Sequence, residues 1–164
     1  AAGRLDWHRN AKPLDEEGYS TELIATEAIN IIKNKDQNRP LFLYVAFNAP
    51  HTPIEAPIEL INEFTDIENE KDRVYAANVS ALDTEIGRII KAIEQEGILE
   101  ETIILFFSDN GPVFDIDPIA QVIAPNLINA KGSTAGLRGS KTSTFEGGIR
   151  VPAVIWWKLS LIHI

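Results

Sequence analysis

The sequence predicts an α/β fold in which a mixed or parallel sheet is flanked by helices. Two apolar runs of strand length, residues 41–47 (LFLYVAF) and 102–107 (TIILFF), lie on either side of a strongly periodic segment at residues 72–96. Unbroken apolar runs of this length are typical of strands covered on both faces. The intervening chain is long enough for the crossover that joins parallel neighbours, so we expect the two strands to be parallel and adjacent.

Two helices are predicted from the spacing of apolar residues. The first begins at Ser20, an expected N-cap, and ends near Lys33. Its apolar face consists of Ile24, Ala28, Ile31 and Ile32. The second covers residues 72–96, and Gly97 is expected to end it. Its apolar residues, at three- and four-residue steps, are Tyr75, Val79, Leu82, Ile86, Ile89, Ile90 and Ile93. Residues 151–157 are a candidate for a further strand.

Composition excludes several classes of function. A chain of 164 residues with 45% hydrophobic and 24% charged residues is typical of one packed domain. The net charge of -9 leaves no general basic surface, so nucleic acid is not an expected partner. No apolar run approaches the roughly 18 to 20 residues of a membrane span. The absence of cysteine excludes disulfides, thiolate metal sites and thiol nucleophiles.

Polar residues follow both predicted strands at the edge where ligands bind in parallel α/β sheets. His51 lies in the loop after residues 41–47, and Asp109 and Asn110 come directly after residues 102–107. A right-handed crossover would bring these side chains together. A carboxylate beside an amide oxygen suits calcium or magnesium better than zinc. The alternatives are a strand-end turn for Asp109 and Asn110 and a structural role for His51.

A third polar segment, residues 137–148 (LRGSKTSTFEGG), places Arg138 and Lys141 among small residues. That composition lets backbone and cations approach an anion closely, although a solvated basic turn would have the same composition. Near the start of the chain, Trp7 and His8 could contact a substrate, and an ordered surface anchor is the alternative.

These segments belong to a wider pattern that closely resembles type I sulfatases of the arylsulfatase B-like kind. The resemblance covers residues 3–157, and its blocks occur in the family's order. The blocks are residues 18–29 (GYSTELIATEAI), 41–53 (LFLYVAFNAPHTP), 75–89 (YAANVSALDTEIGRI), 104–112 (ILFFSDNGP) and 137–157 (LRGSKTSTFEGGIRVPAVIWW). Their joint occurrence is far more specific than any single block.

The resemblance implies an alkaline-phosphatase-like fold and hydrolysis of sulfate esters by a formylglycine nucleophile with a bound calcium ion. Asp109 and Asn110 match the family's calcium ligands, and His51 and Lys141 match catalytic side chains that contact the sulfate group. Arg138 and Glu146 match positions of structural support. The implied partner is a sulfated small molecule or a sulfated glycan, and the implied location is periplasmic, secreted or lysosomal-like. A phosphodiesterase or phosphonate hydrolase of the same superfamily, or a non-catalytic relative that binds sulfated glycans, are the alternatives.

The sequence departs from the family pattern at both ends. The Asp-Asp calcium pair, the Cys or Ser that becomes formylglycine before Pro-x-Arg, and the later Lys and His do not occur here. We therefore expect residues 1–157 to be part of a single catalytic domain that lacks its nucleophile and, in isolation, has no turnover and binds calcium weakly. Residues 158–164 (KLSLIHI) do not continue the family pattern, and we expect them to be a non-native tail, which removes His163 as a ligand.

Overall fold

The computed structural model describes residues 7–113 and 132–158, which form a helical layer and two small sheets. A short hairpin of β1 (His8–Arg9) and β2 (Lys12–Pro13) precedes the helix α1 (Ser20–Lys33). The short helix α2 (Ile58–Glu63), the long helix α3 (Glu70–Gln95) and a 3-10 turn (Leu99–Glu101) follow. The strand β3 (Ile103–Phe107), the single-turn helix α4 (Glu146–Ile149) and the strand β4 (Ala153–Trp157) complete the order.

Helix α1 packs on α3 through small side chains. The buried residues of α1 are Thr21, Ala25, Ala28 and Ile32. The predicted apolar face was therefore only partly right, because Ile31 is 41% exposed while Ile32 is 2% exposed. The predicted N-cap was also wrong by one residue. Tyr19 is the N-cap, in an extended conformation and without a side-chain capping bond, and Ser20 is the first helical residue.

Helix α3 is bounded by a side-chain cap at one end and a glycine at the other. The side-chain oxygen of Asn69 accepts hydrogen bonds from the backbone N–H groups of Lys71 and Asp72, at 3.0 and 3.2 Å. At the other end Gly97 has a φ of +71°, and the N–H of Ile98 bonds back to the carbonyl of Ile93. The predicted helix and its stop at Gly97 are confirmed.

The strands differ from the predicted arrangement. β3 pairs with β4 in an antiparallel register that places Ile103 opposite Trp157. This confirms a strand within residues 151–157. Residues 41–47 form no strand, so the predicted parallel pairing of this run with β3 is wrong. Their side chains alternate between half-buried and exposed, as in an extended segment, but their backbone finds no partner strand among the described residues.

The apolar strands are also more exposed than predicted. Leu105, Phe107 and Val154 are 62%, 54% and 60% exposed, because the two-stranded sheet of β3 and β4 has no third strand or covering layer among the described residues. Of the predicted tail, residues 159–164 lie outside the described residues, and Lys158 forms an ion pair with Glu100 at 2.6 Å. No described helix is both long and apolar enough to cross a membrane.

Candidate functional site

Two of the predicted site loops are joined directly by backbone hydrogen bonds. The N–H of Gly111 donates to the carbonyl of Gly148 at 2.9 Å, and the N–H of Lys141 donates to the carbonyl of Pro112 at 2.8 Å. The loop that follows β3 and carries Asp109 is therefore bound to the loop that carries Lys141. The sequence predicted each loop separately, and the structure brings them together.

Gly111 makes this close approach possible, and Gly147 and Gly148 let the Lys141 loop fold closely on itself. A Cβ atom at Gly111 would collide with the carbonyl oxygen of Gly147, and one at Gly147 would collide with the carbonyl oxygen of Gly139. A Cβ at Gly148 would meet the carbonyl oxygen of Ser143 in the same way. The sequence interpretation missed this arrangement, because it considered residues 137–148 only for the approach of backbone and cations to an anion. The signal in the sequence that could have revealed it was the concentration of glycines in these two loops.

The candidate metal ligands Asp109 and Asn110 directly precede Gly111, which forms part of this contact. Asp109 is exposed, and its carboxylate forms no hydrogen bond or ion pair within residues 7–113 and 132–158. Asn110 is half-buried, and its side-chain nitrogen donates to the carbonyl of Gly111 at 2.9 Å, as expected for a strand-end turn. That bond uses the nitrogen and leaves the side-chain oxygen Oδ1 as a ligand donor.

The chemistry of these donors fits calcium, but their number does not complete a site. Calcium takes about six to eight oxygen ligands, and Asp109 and Asn110 supply one side-chain group each. Within the described part of the chain, no group of three or more His, Cys, Asp or Glu side chains is placed to hold a metal ion. The two residues can thus contribute to a calcium site that needs further oxygen ligands.

Lys141 lies in a backbone turn with an unusual conformation. Its side chain is half-buried, and its ammonium group has no hydrogen-bond or ion-pair partner in the described ranges. The next residue, Thr142, has a φ of +77°, which is unfavourable for a β-branched residue. Nearby, the guanidinium of Arg138 stacks over the ring of Phe145 at 3.7 Å, which agrees with a supporting role for Arg138.

Glu146, the other residue expected to give structural support, faces Arg150, which directly follows α4. Their closest oxygen and nitrogen atoms are 3.8 Å apart, and both side chains are well exposed. Exposed pairs of this kind contribute little to stability. Glu146 therefore adds little to the stability of α4, and no hydrogen bond or ion pair joins it to Lys141 in the described residues.

His51 is exposed and held by its own loop. Its ring nitrogen Nδ1 lies 2.8 Å from the carbonyl oxygen of Thr52, and its N–H donates to the carbonyl of Asn48 at 2.7 Å. Because a carbonyl only accepts, Nδ1 carries the hydrogen, and Nε2 is left to face a ligand. No hydrogen bond joins His51 to Asp109 or Asn110 in the described structure. The parallel strand pairing on which their expected proximity rested is not formed.

The loop of His51 is anchored to both long helices through one carbonyl group. The carbonyl of Glu55 accepts from the side-chain nitrogen of Asn78 at 2.6 Å and from the hydroxyl of Tyr19 at 3.1 Å. Asn78 is 3% exposed. The burial of Asn78 in α3 gives it an anchoring role that the sequence did not predict.

At the start of the described chain, Trp7 and its neighbours anchor the β1–β2 hairpin. The indole N–H of Trp7 donates to the carboxylate of Glu16 at 2.8 Å. Arg9 binds the carboxylate of Glu27 through two nitrogens, at 3.0 and 2.9 Å. The hydrogen bonds and negative charge of Glu27 and, to a lesser extent, those of Glu16 raise the pKa of Arg9. These contacts favour the anchoring alternative for Trp7.

Comparison with known proteins gives a consistent result. The chain matches the family model described as Sulfatase over residues 3–161. The uncharacterized sulfatase YdeN of Escherichia coli is 32% identical over 153 residues, which cover 92% of this chain and 25% of that protein. Arylsulfatase J of Mus musculus is 36% identical over 132 residues, which cover 80% of this chain and 20% of that protein. The chain thus spans about a quarter or less of the length of these relatives.

Solved structures agree with the sequence relatives. The crystal structure of Ps i-CgsB in complex with k-i-k-neocarrahexaose superposes with a TM-score of 0.73 and 34% identity, covering 92% of this chain and 30% of that one. The structural neighbours confirm the predicted α/β class with an alkaline-phosphatase-like fold, of which this chain is a partial domain. The chain belongs to the sulfatase family.

Proposed function

We propose that the protein containing this chain hydrolyses sulfate esters, and that the chain supplies one part of its active site. The observation that carries this proposal is the direct contact between the Asp109 loop and the Lys141 loop, in a chain of the sulfatase family. That contact holds two hard oxygen donors and an ammonium group on adjoining loops. This arrangement would let a metal ion and the ammonium group bind the same sulfuryl group. The formylglycine nucleophile is proposed to lie upstream of residue 1.

In this proposal each side chain has a distinct role. Asp109 and Asn110 help to hold a calcium ion, whose positive charge would offset charge on the sulfuryl oxygens. Lys141 binds a sulfuryl oxygen and stabilises the charge that develops there. His51, with a hydrogen on both ring nitrogens, donates from Nε2 to the ester oxygen and supplies that proton as the oxygen leaves, which returns the ring to the neutral form with its hydrogen on Nδ1.

The proposed substrate is a sulfated small molecule or a sulfated glycan. Ps i-CgsB was solved with an oligosaccharide, k-i-k-neocarrahexaose, which supports the glycan class. The chain has a net charge of -9, so a sulfate group needs a local cationic region. The turn that contains Arg138 and Lys141 provides one.

A paired assay of the complete protein tests the reaction type. Initial rates are measured with an aryl sulfate and with an aryl phosphodiester that has the same leaving group. We expect the sulfate to react faster. A faster phosphodiester rate would favour the phosphodiesterase alternative, and the absence of both reactions alongside binding of a sulfated glycan would favour the non-catalytic one.

Lys141→Ala tests the role of the cation. In the complete protein we expect turnover of an aryl sulfate to fall at least about a hundredfold, by analogy with the loss of one preorganised donor to a developing charge. Thermal stability should change little, because the ammonium group has no partner among the described residues. Lys91→Ala, a substitution at an exposed position of α3, is the matched control. Normal turnover in Lys141→Ala would refute the assignment.

A further inference from the structure

We propose that Gly111, Gly147 and Gly148 are positioning residues. Gly111 sets the distance between the Asp109 loop and the Lys141 loop, and Gly147 and Gly148 set the fold of the Lys141 loop that Gly111 contacts. We call these three residues the glycine clamp. Its effect on catalysis rests on the proposed function. The coupling of the two loops by the clamp does not depend on the proposed function.

Two hydrogen bonds of opposite direction form the polar part of the clamp. The loop after β3 donates from Gly111 to Gly148 at 2.9 Å and accepts at Pro112 from Lys141 at 2.8 Å. Both bonds cross the same contact between the loops, so a shift of either loop along that contact breaks both bonds. The backbone N–H of Lys141 is itself one of the donors, so the clamp acts directly on the residue that carries the candidate cation.

Close packing forms the steric part of the clamp. Gly111, Gly147 and Gly148 are all buried. A Cβ at Gly111 would collide with the carbonyl of Gly147, whereas the positive φ values of the chain occur at other glycines, among them Gly136 and Gly139. Glycine is therefore required at the clamp by the lack of space, and the obstructing atoms are backbone, which cannot move aside as a flexible side chain can.

The turn around Lys141 is constrained from both sides. Gly139 has a φ of +83°, and Thr142 has a φ of +77°. A threonine in this region is strained and persists only where surrounding contacts determine the conformation. The clamp provides such contacts, since Gly147 donates to the carbonyl of Arg138 at 2.8 Å on the other side of the turn.

A Cβ at Gly111 should separate the two loops, and a Cβ at Gly147 should displace the part of the Lys141 loop that the Asp109 loop contacts. Displacement by about 1 Å of groups that position a reacting centre can cost roughly a hundredfold in rate. We therefore expect the clamp to matter more for the relative placement of Asp109 and Lys141 than for the packing of α1 on α3, which lies elsewhere in the chain.

Amide hydrogen exchange followed by NMR tests the coupling in the 164-residue chain. In Gly147→Ala we expect the amides of Gly111 and Lys141 to exchange at least about tenfold faster, while the amides of α1 and α3 keep their protection. Gly87→Ala is the matched control, because a Cβ at Gly87 meets nothing within 4 Å. An unchanged Lys141 amide in Gly147→Ala would overturn the proposal.

Gly111→Ala repeats the test from the other loop. It should accelerate exchange at Lys141 although Gly111 and Lys141 are not hydrogen-bonded to each other. If both variants also remove the protection of α1 and α3, the glycines hold the fold as a whole, and the positioning proposal is wrong.

A second readout separates the clamp from the proposed function. In the complete protein, Gly147→Ala should lower kcat for an aryl sulfate at least about tenfold and weaken calcium binding measured by calorimetry, while the amides of α1 and α3 keep their protection. Unchanged kcat and calcium affinity despite faster exchange would refute the positioning role. If instead the exchange result holds and the unsubstituted protein does not hydrolyse aryl sulfates, the proposed function fails and the clamp stands.

Discussion

Two adjacent isoleucines in α1 provide a quantitative test of the helix packing. Ile32 is 2% exposed and Ile31 is 41% exposed, although the sequence pattern placed both on the apolar face. Ile32→Ala deletes three buried carbon groups, which at about 0.8 kcal/mol each removes about 2.4 kcal/mol of transfer free energy. The cavity that remains should raise the total loss to about 3 to 4 kcal/mol.

Ile31→Ala should cost much less. A little over half of its surface is covered, so the same scale gives about 1.4 kcal/mol, and its exposed position leaves no closed cavity. Both substitutions replace isoleucine by alanine inside the same helix, so the gain in helix propensity is equal and cancels in the comparison. The predicted difference between the two variants is about 2 kcal/mol.

Urea unfolding of the 164-residue chain at 25 °C, followed by far-ultraviolet circular dichroism, measures this difference. With an m-value of about 2 kcal/mol/M, the midpoint of Ile32→Ala should lie about 1 M below that of Ile31→Ala. Equal midpoints would refute the burial of Ile32 against α3. A larger loss for Ile31→Ala would show that α1 packs through its other face.

Three further substitutions test particular residues. Asn78→Asp should lower the free energy of unfolding by at least about 3 kcal/mol at pH 7, because a buried carboxylate would face the Glu55 carbonyl that now accepts a bond at 2.6 Å. Urea unfolding should show part of this loss recovered near pH 4, where the protonated acid can donate to that carbonyl. A loss that does not depend on pH would contradict the reasoning. Thr142→Gly should stabilise the chain by up to about 1 kcal/mol by relieving the positive φ, and a lower thermal midpoint would contradict this. Burial raises the pKa of Glu85 despite its ion pair with Arg88, so the folded state favours the protonated acid and loses stability as pH rises above its ordinary pKa of 4.5. Glu85→Gln removes that loss, so the variant should gain stability relative to the unsubstituted chain between about pH 4 and pH 7, and a constant difference would refute the assignment.

The local elements of the fold were predictable because their signals are local. Apolar residues at three- and four-residue steps with Gly97 at the end predicted α3, and the apolar runs predicted β3 and β4. The buried face of α1 was harder to predict, because alanines and a threonine fill much of it while the larger Ile31 remains partly exposed. Hydrophobicity alone ranks isoleucine above alanine, whereas close helix packing favours the smaller side chain.

Pairing between distant segments was not predictable in the same way. Residues 41–47 have the composition of a buried strand, yet a strand also needs a partner backbone, which no described segment provides. For the same reason, the strand pairing from which the proximity of His51 to Asp109 was expected could not be established from the sequence order. The contact between the Asp109 and Lys141 loops depends on backbone approach at glycines, which leaves no periodic pattern in a sequence.

The calcium dependence of aryl sulfate hydrolysis by the complete protein tests the central proposal most directly. Asp109→Asn keeps an oxygen donor of nearly the same shape and removes one negative charge from the proposed metal site. We expect the calcium concentration for half-maximal rate to rise at least about tenfold, with much of the rate restored at saturating calcium. Hydrolysis with the same calcium dependence in both proteins would contradict the assignment of Asp109 and of this loop to the active site.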